Sequence, residues 1–159
     1  MILCCFLEPL SVACSSTNNL IRLEGSSGSL ASDGYPNDYS NDAECSFRLQ
    51  SANSLNAIML TFESFDLESS KDCEADYVEV YDSITTFGEL MGRFCGSTIP
   101  EPLKSSGQYM AVKFKTNGNG RYPGFKASYS TKCKFELSFF LTVHQEFLQL
   151  SSSLILKMV

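Results

Sequence analysis

MAVKFKTNGNGRYPGFKASY, residues 110–129, holds two alternating stretches separated by a turn. Met110, Val112 and Phe114 alternate with Ala111, Lys113 and Lys115. Phe125, Ala127 and Tyr129 alternate with Lys126 and Ser128. A period of two marks strands packed on one face and wet on the other. Between them Asn117-Gly118-Asn119-Gly120 supplies residues that accept positive φ, the chemistry of a tight turn. Working outward, Ile58, Leu60 and Phe62 alternate with Met59 and Thr61, while Asp33-Gly34-Tyr35-Pro36 and Asn53-Ser54 read as further turns. No helical period appears between residues 28 and 130. Several short strands at this spacing predict an all-β antiparallel sandwich or barrel.

The 159 residues leave room for one domain with short extensions. An apolar content of 43% with 19% charged residues is globular composition. The formal charge of −6 argues against nucleic acid, which needs a cationic footprint. No run of about 18 apolar residues is present, so no membrane span is expected. His144 is the only histidine, which excludes multi-histidine metal sites.

Seven cysteines stand at 4, 5, 14, 45, 73, 95 and 133, none in C-x-x-C spacing. Gaps of 31, 28 and 22 from Cys14 to Cys95 suit a disulfide framework formed in an oxidising compartment, and buried free thiols are the alternative. Residues 1–13 partly resemble a signal peptide: Ile2 to Leu7 is apolar and Ser11 and Ala13 permit cleavage before Cys14, but no basic residue precedes the run and Glu8-Pro9 interrupts it. Setting that segment aside removes Cys4 and Cys5 and leaves Cys133 unpaired. Residues 132–159 form a hydrophobic tail or a truncated following module. There Phe139, Val143 and Phe147 recur every fourth residue, as one helix face would. Its polar side lacks the basic residues that favour anionic lipid.

The ordered motifs then point to a family. Tyr35-Pro36-x-x-Tyr39, Cys45-x-Phe47-x-Leu49 and Ile58-x-Leu60-x-Phe62-x-x-Phe65-x-Leu67-Glu68 come first. Cys73-x-x-Asp76-x-Val78-x-Val80-x-Asp82, Gly92-x-Phe94-Cys95-Gly96, Val112-x-Phe114 and Gly124-Phe125-x-Ala127-x-Tyr129 follow. In this order they resemble the CUB domain of extracellular proteins over residues 14–131. The resemblance implies a jelly-roll-like sandwich of two antiparallel sheets, secretion, and disulfides Cys14–Cys45 and Cys73–Cys95. Two departures stand out: Phe47 replaces a frequent Trp, and the segment from Cys14 to Tyr35 is longer than usual.

Many CUB domains look like calcium modules. The resemblance carries their site onto Tyr39, Glu68, Asp76 and Asn117, with Asn119 and the carbonyls of the Asn-Gly-Asn-Gly loop as additional oxygens. A hard cation takes six to eight oxygen ligands, so Glu68 and Asp76 would be its carboxylates and Tyr39 would orient one of them by hydrogen bonding. Asn117 stands where the family carries Asp, so one negative charge is missing. In related domains a partner's Lys also reaches these carboxylates, which implies a partner-binding role for Tyr39, Glu68 and Asp76.

The expected function is a secreted, non-catalytic module that binds another extracellular protein with the help of Ca2+. H-E-x-x-H and G-x-S-x-G are absent, and CUB-bearing proteases keep their catalytic domain separate. Two alternatives are a calcium-independent, spermadhesin-like binder of carbohydrate or lipid, and a fragment of a multi-CUB receptor or protease. For the second, Cys133 would open the next repeat.

Overall fold

The computed structural model describes residues 10–14 and 20–132. Their fold follows from where the apolar alternation leads: ten strands form two five-stranded sheets that face each other. One sheet has the order β1 (Leu10–Ala13), β3 (Ser27–Ala31), β10 (Gly124–Lys132), β5 (Ala57–Asp66), β8 (Leu103–Lys104). The other has the order β2 (Leu20–Glu24), β4 (Glu44–Gln50), β9 (Tyr109–Lys115), β6 (Tyr77–Asp82), β7 (Glu89–Phe94). A single 3₁₀ turn, Lys71–Cys73, is the only helical element among the described residues.

The sandwich is as expected, but its sheets are mixed rather than wholly antiparallel. β1 runs parallel to β3, and β2 runs parallel to β4. The reason is the path of the chain. From β1 to β6 it crosses to the opposite sheet at every step, so β3 returns beside β1 and β4 beside β2, each running the same way as its neighbour. Leu10–Ala13 belong to the stretch expected to be a leader and set outside the fold. Here they form the edge strand β1, with Val12 opposite Leu30, and Cys14 N donates to Ala31 O at 2.9 Å. The tail 133–159, with Cys133 and His144, lies outside the described residues, as do Cys4 and Cys5.

The core is aromatic. Phe125 meets Phe47, Phe62 and Phe114 with ring centroids 6.4, 5.9 and 5.4 Å apart, all edge-on. Such geometry adds about 0.5–1.5 kcal/mol per pair to area burial. Phe47, at the family's Trp position, is fully buried in this cluster. A slip in the β5–β10 register between Lys126 and Ala127 brings Phe62 and Phe65 onto the same side despite their odd spacing. Both are buried, with their rings 5.3 Å apart. Gly124 (φ 82°) lies against Ser32: a β-carbon there would sit 1.9 Å from the Ser32 hydroxyl, which accepts from Phe125 N at 3.1 Å.

Disulfides join Cys14 to Cys45 and Cys73 to Cys95, with Cα separations of 6.1 and 5.5 Å. The first ties the entry of the chain to β4, and the second ties the 3₁₀ turn to the end of β7. Closing the 22-residue interval in the second contributes about 3.4 kcal/mol by the loop-entropy estimate.

Candidate functional site

The functional candidates gather at the end of the sandwich where β5 stops, β6 starts and β9 stops. β5 ends at Asp66, and Leu67 anchors the exit: it is buried, and its N–H donates to Gly96 O at 3.0 Å. Glu68, next in line, is therefore held at the rim. Asp76 immediately precedes β6, three residues after Cys73 of the Cys73–Cys95 bridge. Asn117 follows β9, whose Phe114 is buried and whose following Thr116 locks the loop. Thr116 Oγ1 donates to Ser40 O at 2.9 Å and accepts from Ala43 N at 2.8 Å.

Tyr39, Glu68, Asp76 and Asn117 form one hydrogen-bonded cluster. The Tyr39 hydroxyl donates to Asp76 Oδ2 at 2.5 Å, and Asn117 N donates to Asp76 Oδ1 at 2.7 Å. Both carboxylate oxygens are thus engaged, and Asp76 is 0% exposed. Glu68 N donates to the Tyr39 hydroxyl at 3.2 Å, and Asn117 Nδ2 donates to Glu68 Oε2 at 2.9 Å. Asn119 is exposed and contributes its backbone, which donates to Asn117 Oδ1 at 2.7 Å. That contact fixes the direction of the Asn117 amide: its oxygen faces its own loop and its NH2 faces Glu68.

Burial, reinforced by the bond to Asp76, pushes the Tyr39 hydroxyl far above the ordinary phenol range. Buried Tyr39 and Asp76 present no surface, so the direct partner contact expected of them is corrected to a supporting one. Glu68 remains partly accessible.

Two residues of the site escape a reading by motif. Asp42, with φ 54°, donates its N–H to Asn117 O at 2.8 Å, and its carboxylate oxygens lie 3.5 Å from where a β-carbon on Gly118 would stand. Asn41 Nδ2 donates to Gly118 O at 3.0 Å, while its Oδ1 is buried without a partner. The Asn41-Asp42 pair is a turn signal in sequence, but nothing local shows that it packs on a loop about 75 positions away.

The oxygens gathered here are of the kind a hard cation takes. Two carboxylates stand on either side of Asn117, Asp42 lies on the neighbouring loop, and Asn41 holds a spare amide oxygen. Among the described residues, no three His, Cys, Asp or Glu side chains are assembled as a metal cluster. The Asn117 NH2 occupies the Glu68 oxygen that a cation would use.

Residues 14–129 match the family profile of the CUB domain. The chain belongs to the CUB domain family. This CUB domain is 32% identical over 120 residues to human Tolloid-like protein 2, covering 76% of the chain and 12% of that protein. Among solved structures it is similar to the CUB1-EGF-CUB2 domains of rat MASP-1, with a TM-score of 0.63 and 31% identity, covering 71% of this chain and 42% of that one. It also resembles the MASP-1 CUB2 domain bound to Ca2+, with a TM-score of 0.59 and 28% identity over 70% of this chain and 96% of that one. The chain spans about an eighth or less of the length of the curated relatives it matches.

The tyrosines of the CUB domain offer a direct check on this geometry. Burial and a bond to Glu79 push the Tyr81 phenol up to about 12, and burial alone raises Tyr129. A raised folded value means that the neutral phenol is favoured in the fold. The stability this contributes is present below the unfolded value of about 10 and is lost as pH climbs through about 12. An ultraviolet titration should show a late component near pH 12 that disappears in Tyr81→Phe, and a further component for Tyr39 that appears only on unfolding. Complete ionisation of the tyrosines near pH 10 in the folded protein contradicts the buried placements.

Proposed function

We propose that this CUB domain is a non-catalytic module that binds another extracellular protein through the rim around Glu68, and that Ca2+ weakly assists it. The observation that carries the reading is the convergence of Glu68 and Asp76 on Asn117, together with similarity to a CUB domain solved with Ca2+. Glu68 and Asp76 would hold the ion, with Asp42 and loop oxygens completing its shell. Bound calcium would supply local positive charge and fix the rim loops. Glu68 is the carboxylate that a partner lysine would meet, since Asp76 is buried.

The Asn117 to Glu68 bond also favours a second reading. An amide donor in place of a carboxylate can brace the rim without any cation, giving a calcium-independent binder. The two readings part at one substitution. Asn117→Asp restores a carboxylate and removes the competing donor, so it should tighten calcium binding at least about tenfold, as typical affinities track ligand charge. In chelator the same variant should melt below the parent, because a third carboxylate then faces Glu68 and Asp76. In calcium at ten times the dissociation constant it regains about 1.4 kcal/mol by linkage.

Calorimetric titration and melting of the full chain, with Glu68→Gln as the control, read both effects. If neither the parent nor Asn117→Asp melts differently in millimolar calcium and in chelator, the calcium reading is wrong. The calcium-independent reading then stands.

A further inference from the structure

Far from that rim, a row of residues crosses the outer face of the second sheet. Leu90 pairs with Tyr81, Tyr81 with Ala111, Ala111 with Arg48, and Arg48 with Arg22. Arg22 and Arg48 are therefore directly opposite on adjacent strands, where like charges repel. Arg93 is matched to Glu79, and Lys113 and Lys115 to Glu44, but among the described residues Arg22 and Arg48 make no ion pair. With Glu24, Gln50 and Ile84 they line a concavity of about 140 Å³. Ala111 points to this outer face yet is 0% exposed, so larger neighbours roof it over. Ile84 belongs to the β6–β7 connection, and three residues on in that loop Phe87 is 96% exposed. Leu90, at the end of the row, is also exposed.

We propose that this face is a second protein-docking surface, whose occupant is a partner segment carrying a carboxylate beside apolar side chains. Two adjacent guanidinium groups that outnumber the one carboxylate of the concavity, Glu24, and form no ion pair with it suit a planar carboxylate, which accepts paired bonds from them and offsets their mutual repulsion. Ile84 gives the stem of that acid an apolar wall. Phe87 and Leu90 offer exposed apolar area next to it, and arginine with aromatic anchors is the composition of interface hot spots. A densely sulfated polysaccharide suits the face less well. Glu24, Glu44 and Glu79 share it, and the chain's charge of −6 repels a polyanion. The surface is separate from the rim, because Tyr81 lies five residues beyond Asp76, which immediately precedes β6, or about 16 Å of extended chain. It needs no cation.

The test is a nuclear magnetic resonance titration of the full chain in chelator, which keeps its outcome apart from that of the calcium site. The probes are acetyl-Leu-Glu-Leu-amide, the same peptide with Gln for Glu, and a heparin-derived oligosaccharide. The Glu peptide should shift the Arg22 and Arg48 Nε–H signals and the amides of residues 84–90. The Gln peptide should bind at least about tenfold more weakly, the size of a lost charge-assisted bond. Arg22→Gln should weaken the Glu peptide similarly, and Phe87→Ala by a few fold. Both side chains are exposed, so both variants keep the fold. Equal binding of the Glu and Gln peptides, shifts from the heparin fragment alone, or no shift from any probe overturns the proposal.

Discussion

Asp76→Ala should lower the unfolding free energy by about 2–6 kcal/mol, read from chemical denaturation of the oxidised chain. The buried carboxylate accepts from the Tyr39 hydroxyl and from Asn117 N. Removing it leaves the buried Tyr39 hydroxyl and the part-buried Asn117 N–H without their acceptor, at about 1–3 kcal/mol each if water does not replace it. For a domain whose total stability is about 5–15 kcal/mol, that is a large fraction. Asp76→Asn keeps one acceptor oxygen and should lose less, whereas Glu68→Gln, at the accessible rim, should lose little. If Asp76→Ala denatures at the same midpoint as the parent, Asp76 is not the keystone of this cluster. The substitution is accordingly a poor probe of calcium alone, because it would disturb the fold whether or not an ion binds.

Phe125→Ala should be comparably damaging, at about 3–5 kcal/mol. Phe125 is fully buried and contacts rings from β4, β5 and β9, so it joins the two sheets across the middle of the sandwich. The void left behind is bounded by rings fixed on rigid strands, which cannot collapse to fill it. Phe125→Leu, closer in volume, should recover most of the loss. A loss below about 1 kcal/mol for the alanine variant would mean that the aromatic cluster is loosely packed.

The legible parts of this protein are those with a short-range pattern. Ile58, Leu60 and Phe62, then Met110, Val112 and Phe114, then Phe125, Ala127 and Tyr129 are buried as their alternation predicts, because pleating forces successive side chains to opposite faces. Alternation misses Phe65, since the slip that turns it inward is a property of the β5–β10 pairing and not of either strand. It also places Ala111 on a wet face: the side chain does point outward, but its larger neighbours cover it. The parallel edges were unreadable for a related reason, because they follow from how the chain crosses between sheets.

At the site, motif order led to Tyr39, Glu68, Asp76 and Asn117, and the structure brings all four into contact. The burial of Asp76 could not be read from its charge, which ordinarily places an acid at the surface. Asp42 and Asn41 stayed hidden because their partners are Asn117 and Gly118, far along the chain.

The position of β10 has a consequence for how this protein is made. It is the last described strand, yet it lies between β3 and β5, two strands in from either edge of its sheet. While the polypeptide emerges from the ribosome, β3 and β5 have a gap between them, and Phe47, Phe62 and Phe114 lack the ring that joins them. Assembly must therefore wait for nearly the whole domain to be translated. Released, oxidised chains that end before Gly124 should be readily cut by protease, and those that include Lys132 should resist it.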